Sequence, residues 1–175
     1  HKYVADLYRR GVRDFVVSAL PDDYASRFPA AAFYVVADPL KALQHLAECH
    51  RRRFDIPVVG ITGSNGKTIV KEWLYQLLSP QLVVTRSPRS YNSQVGVPLS
   101  VCLLNAQTQL GIFEAGISQP GEMSALRPII QPRIGVMTNI GQAHQENFTS
   151  LEEKCAEKLS LFKDADVLIY DADDP

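Results

Sequence analysis

The fold is decided by one stretch of sequence, Gly60-Ile61-Thr62-Gly63-Ser64-Asn65-Gly66-Lys67-Thr68, which lies between an apolar run and an amphipathic helical pattern. Glycines allow a tight turn whose backbone N–H groups point inward, and the first turn of the following helix adds positive potential. In such a loop Lys67 reaches the terminal phosphates of a nucleotide, and the Thr68 hydroxyl can hold Mg²⁺. The spacing is a variant of the P-loop pattern, because five residues instead of four separate Gly60 from Gly66.

Short runs of β-branched and aromatic residues alternate with helical patterns around this stretch, which is typical of an α/β fold with a parallel sheet flanked by helices. The predicted strands cover residues 15–17, 33–36, 56–62, 82–85, 110–114, 134–138 and 167–170. Apolar stripes with helical spacing predict helices over residues 41–53, 67–78 and 151–162. We interpret Trp73 and the leucines of these stripes as core residues.

The composition excludes several classes of protein. Of 175 residues, 46% are hydrophobic, which is too apolar for a disordered chain, and no apolar run approaches the ~20 residues that span a bilayer. The 18 Lys and Arg residues nearly balance 19 Asp and Glu residues, which argues against a surface built to hold nucleic acid or anionic lipid. Cys49, Cys102 and Cys155 have no metal-site spacing, and we interpret them as buried thiols in a reducing cytosol.

A domain boundary is predicted after the cluster Arg51-Arg52-Arg53. Cations complement the dipole at the end of a helix, and a new strand pattern starts directly afterwards. A solvated helix end explains these arginines better than a phosphate-binding patch does. Residues 1–53 are therefore expected to end a small α/β domain, and residues 54–175 to form most of another. Because the chain stops shortly after the last predicted strand, we expect a piece of a longer protein.

Polar residues follow three predicted strands at the edge where ligands of open α/β sheets bind. Glu114 ends an apolar strand and offers carboxylate oxygens to Mg²⁺. Asn139 and His144 follow the next strand, and Asn92 and Ser93 lie in the polar loop after the strand at residues 82–85. Singly, each has an ordinary interpretation as a turn former, cap or surface residue. Their combination at one edge makes them candidate site residues.

Four segments together resemble the Mur ligase family, the ATP-dependent amide-forming enzymes of peptidoglycan precursor synthesis. Residues 60–68 are similar to the ATP loop of that family, and Phe113-Glu114-Ala115-Gly116 to its acidic metal-binding segment. Residues 139–144 resemble its Asn/His segment, and residues 150–158 its helix with a lysine that becomes carbamylated. The four segments occur in the family's order and extend the resemblance over nearly the whole chain.

The resemblance implies an ATP site with two Mg²⁺ ions. It places the nucleotide on Gly63, Ser64, Asn65, Gly66, Lys67, Thr68 and Asn139. It implies metal ligands at Thr68, Glu114, His144 and Lys158, with catalytic roles for Lys67, His144 and Lys158. A cationic amine cannot bind a metal, whereas a lysine carbamate can, and burial favours the neutral amine that reacts with CO₂. The alternative is that Lys158 remains an ammonium and pairs with phosphate.

Within the family, Val70-Lys71-Glu72, residues 92–98 and residues 38–43 most resemble the type that joins D-alanyl-D-alanine to UDP-MurNAc-tripeptide. Residues 86–92 are similar to chains in which this ligase is fused to an alanine racemase. Two residues depart from the family pattern. Ile69 replaces a hydroxyl residue and Ser93 replaces a second asparagine, and Asn92 with Ser93 is the implied substrate contact.

The implied reaction passes the γ-phosphoryl group of ATP to the tripeptide carboxylate, and the amine of D-alanyl-D-alanine then attacks the acyl phosphate. Residues 1–53 would end the UDP-sugar-binding domain, and a C-terminal domain would complete a cytoplasmic enzyme, so this chain alone is expected to be inactive. Two alternatives remain. Another ligase of the superfamily would share the ATP site, while a P-loop switch protein would carry the Asn-Lys-x-Asp motif, which the sequence lacks.

Overall fold

The computed structural model describes residues 2–141 and 147–173. The chain divides into two compact units, His1–Leu43 and Gln44–Pro175. The division lies inside a helix, ten residues before the predicted domain boundary after Arg53. The assignment of residues 1–53 and 54–175 to two domains therefore stays a prediction.

The first unit contains a small parallel sheet with two short helices. Its elements are α1 (Val4–Arg9), β1 (Asp14–Val17), α2 (Tyr24–Arg27) and β2 (Ala32–Val35). The strands pair in parallel with Asp14 opposite Ala32, and stacked rings of Phe15 and Phe33 lie 5.3 Å apart between centroids. Helix α3 (Pro39–Arg51) begins in this unit. Asp38 caps its first turn, because the carboxylate accepts hydrogen bonds from the amides of Leu40 and Lys41.

The second unit is built on a five-stranded parallel sheet with the order β4-β5-β3-β6-β7. Its strands are β3 (Val58–Thr62), β4 (Val84–Arg86), β5 (Leu110–Glu114), β6 (Ile134–Met137) and β7 (Val167–Ile169). Its helices, after α3, are α4 (Lys67–Leu78), α5 (Gly96–Val101), α6 (Glu122–Ile130) and α7 (Leu151–Leu159), followed by a 3₁₀ turn at Ser160–Phe162. The predicted α/β fold with a parallel sheet flanked by helices is confirmed.

The centre of the sheet is buried by helices on both faces. Every residue of β3 and β5 is buried, which matches the continuous apolar runs expected of central parallel strands. On one face Ile61 and Ile112 pack against the partly buried Val70 and Leu74 of α4. The opposite face carries a second core from β5, α5, α6 and the 3₁₀ turn, with Phe113, Val101, Met123, Leu126 and Leu161 among its buried members.

Two interpretations of side-chain burial are wrong. Trp73 is 63% exposed and Leu77 is 71% exposed, because the inward face of α4 passes through Lys71, whose side chain has no exposed surface. A lysine can occupy that position since its ammonium reaches polar partners beyond the apolar layer. Cys49 and Cys102 are exposed rather than buried.

Helices α5 and α6 were not predicted from the sequence. Each is short and contains a proline, Pro98 in α5 and Pro128 in α6, and proline normally counts against a helix interior. In the described part of the chain, no helix is both long enough and apolar enough to cross a membrane.

Candidate active site

Parallel pairing brings several of the predicted site residues to one edge of the sheet. Strand β3 lies between β5 and β6, with Ile61 opposite Glu114 and Thr62 opposite Met137. The loop that follows β3 therefore lies beside the carboxyl ends of both neighbours. This is the edge at which open α/β sheets bind their ligands.

Two glycines give the loop its shape. Gly63 has φ +141° and Gly66, the residue before α4, has φ +80°, conformations that residues with a Cβ rarely adopt. A Cβ on Gly63 would lie 2.0 Å from the Thr138 hydroxyl oxygen. The turn thus requires glycine at Gly63 for both reasons, and it leaves the first amides of α4 without partners inside the helix.

Asn139 holds the loop from the end of β6. Its backbone oxygen accepts from the Ser64 amide at 2.9 Å, and its side-chain Oδ1 accepts from the Asn65 amide at 3.0 Å. The Ser64 hydroxyl is also within 2.8 Å of the Gly141 amide, which donates to it. Asn139 therefore acts on the loop itself, while its predicted contact with a nucleotide stays a prediction.

The Lys67 ammonium is folded back onto its own loop. It donates to the backbone oxygens of Gly63 at 2.8 Å and Ser64 at 3.3 Å. Burial lowers the pKa of Lys67, and the nearby Glu114 carboxylate partly offsets that effect. Because phosphate oxygens are stronger acceptors for an ammonium than carbonyls are, a nucleotide phosphate could take over these contacts.

Glu114 is fully buried and gathers three other side chains. Its Oε2 accepts from the Thr68 hydroxyl at 3.0 Å and from Asn92 Nδ2 at 3.4 Å. Its Oε1 lies 2.9 Å from the Lys71 ammonium in an ion pair, but accepts no well-aligned hydrogen bond from the described residues. The predicted pair Thr68 and Glu114 is thus brought together, along with Asn92.

Sequence reasoning did not identify Lys71 as a site residue. It used the segment Val70-Lys71-Glu72 only to decide which type of ligase within the family the chain resembles. The signal was its spacing, because residues three apart share a face of a helix and Thr68 faces the site. Nothing in the local pattern indicated that a lysine would be fully buried.

The Glu114 region has donors that suit Mg²⁺. Glu114 Oε1 accepts no well-aligned hydrogen bond, and the Thr68 hydroxyl lies beside Glu114 Oε2. Carboxylate and hydroxyl oxygens are hard ligands of the kind that Mg²⁺ prefers. Across residues 2–141 and 147–173, no group of three or more His, Cys, Asp or Glu side chains has the arrangement of a metal site. Such a cluster is not required, because Mg²⁺ is commonly held by one or two carboxylates together with substrate phosphates and water.

Lys158 projects from α7 to the same loop. It is 3% exposed, and its ammonium donates to the Gly63 oxygen at 3.1 Å. Burial, together with the charges of Lys67 and Lys154, lowers the pKa of Lys158 to about 8. Lys154, also buried, donates to the Gly141 oxygen. A larger share of Lys158 is therefore neutral near physiological pH than for an ordinary lysine.

A cleft of about 410 Å³ lies in front of the loop, lined by Lys67, Lys158, Asn92, Ser93, Ser118 and Glu122 among others. Asn92 is fixed there by its backbone oxygen, which accepts from the Gly116 amide at 2.7 Å. The Ser93 hydroxyl accepts from the Gly96 amide at 3.1 Å and so supports the start of α5. His144 lies outside the described residues.

A larger cavity, of about 680 Å³, lies at the opposite edge of the sheet, beside residues that precede β3, β6 and β7. Its arginines include Arg51, which is 5% exposed and donates to the backbone oxygens of Ile130 at 3.1 Å and Phe54 at 2.6 Å. Since backbone carbonyls occupy this guanidinium, Arg51 stabilises the fold, and the expectation of a solvated helix end is wrong for this residue.

Comparison with known proteins shows the family to which the chain belongs. Residues 61–175 match the Mur ligase middle domain. The chain is 32% identical over 182 aligned positions to UDP-N-acetylmuramoyl-tripeptide–D-alanyl-D-alanine ligase of Bacillus subtilis (strain 168), covering 100% of this chain and 38% of that protein. It thus spans well under half of this curated relative.

Two solved structures are similar to the chain. Crystal structure I of MurF from Acinetobacter baumannii matches with a TM-score of 0.88 at 29% identity. The match covers 99% of this chain and 38% of the MurF chain. MurF ligase from Thermotoga maritima in complex with ADP matches with a TM-score of 0.85 at 29% identity. The match covers 100% of this chain and 40% of that ligase chain. Since the family match extends over most of the chain, this protein belongs to the Mur ligase family through its middle domain.

Proposed function

We propose that the chain is the nucleotide-binding part of an ATP-dependent, ADP-forming ligase that adds D-alanyl-D-alanine to UDP-MurNAc-tripeptide. The observation that carries the proposal is the meeting of the Lys67 loop with the Thr68–Glu114 pair at one sheet edge. The names of the similar ligases, and the ADP held by the Thermotoga maritima protein, support it. Because the chain spans 38% of the curated relative, the activity belongs to the whole protein.

In this reaction the tripeptide carboxylate attacks the γ-phosphorus of ATP, the bond to the β-phosphate oxygen breaks, and ADP leaves. The amine of D-alanyl-D-alanine then attacks the acyl carbon, loses a proton, and expels phosphate. Lys67 neutralises phosphate oxygens as negative charge moves onto ADP. Thr68 and Glu114 would hold Mg²⁺, which supplies positive charge to the β- and γ-phosphates when bound.

The proposal extends to further parts of the site and of the protein. We assign a second Mg²⁺ to His144 and a carbamylated Lys158, and substrate contact to Asn92 and Ser93. We also assign residues 1–53 to the end of a UDP-sugar-binding domain, the attacking dipeptide to a C-terminal domain, and the reaction to the cytoplasm.

ADP release by the full-length protein tests this function. We expect ADP to form in a one-to-one ratio with product only when ATP, UDP-MurNAc-tripeptide and D-alanyl-D-alanine are all present. ADP formation supported equally well by glutamate and a folate, or by a single amino acid in place of the dipeptide, would instead identify another ligase of the superfamily. Hydrolysis without any acceptor would favour a P-loop switch.

Replacing Gly63 with alanine is expected to weaken ADP binding by at least about tenfold, because the new Cβ would overlap the Thr138 hydroxyl and φ +141° would be strained. Gly121→Ala is the matched control, since Gly121 has φ +84° but a Cβ there meets no atom within 4 Å. Titration of both full-length variants with ADP measures the effect. Equal affinities of the two variants would contradict the assigned role of the loop.

Carbamylation of Lys158 is expected to increase as pH rises through about 8 at a fixed concentration of dissolved CO₂, because only the neutral amine reacts. Carbon-13 NMR of the full-length protein with labelled CO₂ measures the carbamate. The signal should disappear in Lys158→Arg and remain in Lys163→Arg, which alters an exposed lysine. A signal that survives Lys158→Arg would place the carbamate elsewhere.

A further inference from the structure

Lys71 lies where the Glu114 carboxylate meets residues 87–93, which we call the substrate loop because they include Asn92 and Ser93. We propose that Lys71 is a positioning residue that holds Glu114 and the substrate loop in one arrangement. The inference rests on the proposed function for the identity of the substrate. It rests on the contacts of the Lys71 ammonium for everything else.

The Lys71 ammonium bridges three parts of the fold from its fully buried position on α4. It lies 2.9 Å from Glu114 Oε1 at the end of β5. It donates to the backbone oxygen of Ser87 at 2.9 Å and to that of Arg89. The helix that starts in the phosphate loop is thereby tied to the carboxylate and to the substrate loop through one side chain.

The substrate loop is also attached to the end of β5 by other contacts. The Ser87 hydroxyl accepts from the Glu114 amide at 3.2 Å, and the Asn92 amide group reaches Glu114 Oε2 at 3.4 Å. Between these anchors Arg89 has φ +49°, a left-handed conformation that is strained for a residue with a Cβ. The contact from Lys71 to the Arg89 oxygen holds the loop at that strained residue.

The charges of this region balance in pairs. Glu72 Oε1 lies 3.1 Å from the Lys71 ammonium, but both Glu72 oxygens also face Arg86, at 3.2 Å and 3.0 Å. Arg86 thus accounts for the Glu72 charge, and Lys71 for that of Glu114. A lysine ammonium has three N–H donors. Lys71 can therefore still donate to the backbone oxygens of Ser87 and Arg89 when the Glu114 carboxylate binds a metal cation.

Lys71 touches none of the reacting atoms in this account. Its removal should therefore act on the loop that receives the peptide substrate more than on nucleotide binding. Residues that orient ligands and loops without touching the substrate commonly affect function through the groups that they hold in place.

Trypsin cleavage after Arg89 reports on the loop without any need for activity. The scissile carbonyl is the oxygen that Lys71 holds, so its release should expose the bond between Arg89 and Ser90. The comparison uses the full-length wild-type protein against Lys71→Met/Glu114→Gln, because neither leaves one charge of this buried pair without the other. We expect cleavage at this bond to be about tenfold faster in the double variant, as for a locally released segment. Equal rates would overturn the proposal.

Kinetics of the full-length Lys71→Met variant give the second readout. The KM for UDP-MurNAc-tripeptide should rise about tenfold, while the dissociation constant for ADP changes less than about threefold. Glu72→Gln is the matched control and should leave both constants near their wild-type values. A variant with fewer folded molecules but an unchanged peptide KM would show a structural role and overturn the proposal.

The two readouts separate failure of this inference from failure of the proposed function. If the wild-type protein does not use UDP-MurNAc-tripeptide, the proposed function is wrong, and the trypsin comparison still decides whether Lys71 holds the loop. If the wild-type protein is active and the cleavage rates are equal, the inference about Lys71 is wrong and the proposed function stands.

Discussion

Replacement of Lys67 by alanine in the full-length protein is expected to lower the ligation rate by about 10³-fold or more. The ammonium lies on the phosphate loop, and in a phosphoryl transfer it would neutralise charge that develops on the phosphates. The change should leave the fold intact, because Lys67 contacts only the backbone oxygens of its own loop among its described hydrogen bonds. The rate of ADP formation with all three substrates measures the effect.

The control for this prediction is Lys163→Ala, which removes an exposed lysine. It should retain nearly full activity, and both variants should keep the wild-type circular dichroism spectrum. Normal turnover by Lys67→Ala would show that the loop does not bind the transferred phosphate.

Replacement of Lys71 by methionine is expected to lower the free energy of unfolding by about 3–5 kcal/mol. Methionine has a similar length but no charge, so the fully buried Glu114 carboxylate would lose its cation. Removing one partner of a buried ion pair costs this much stability, because the remaining charge stays buried without water or a counter-charge. Urea denaturation of the full-length protein measures the loss.

The double variant Lys71→Met/Glu114→Gln distinguishes this cause from lost packing. Once the carboxylate is neutral, most of the lost stability should return. A loss below about 1 kcal/mol in the single variant, or no recovery in the double variant, would contradict an ion pair between these two side chains.

Elements with a strong local pattern could be predicted from the sequence. The bounds of α4 and β5 agree with the prediction residue for residue. The helical spacing of apolar residues indicated the first, and a continuous apolar run indicated the second. The parallel pairing of β3 with β5 then brings Glu114 to the phosphate loop. Thr68 and Glu114 could therefore be predicted as a pair.

Features that depend on tertiary contacts could not be predicted in this way. Helical spacing alone placed Trp73 in the core, but the inward face of α4 is set by the partners of Lys71, which come from β5 and the loop after β4. Asn139 was expected to contact the nucleotide. The hydrogen bond that its Oδ1 accepts from the Asn65 backbone amide depends on how β6 lies beside β3. Such contacts appear only once the strand order is known.

The fate of an oxygen atom tests the central claim, formation of an acyl phosphate, most directly. The full-length protein would ligate UDP-MurNAc-tripeptide labelled with oxygen-18 in its free carboxylate, and mass spectrometry would follow the label in the released phosphate. Transfer of the γ-phosphoryl group to the carboxylate predicts one labelled oxygen in each phosphate molecule. Unlabelled phosphate released together with ligated product would contradict the account.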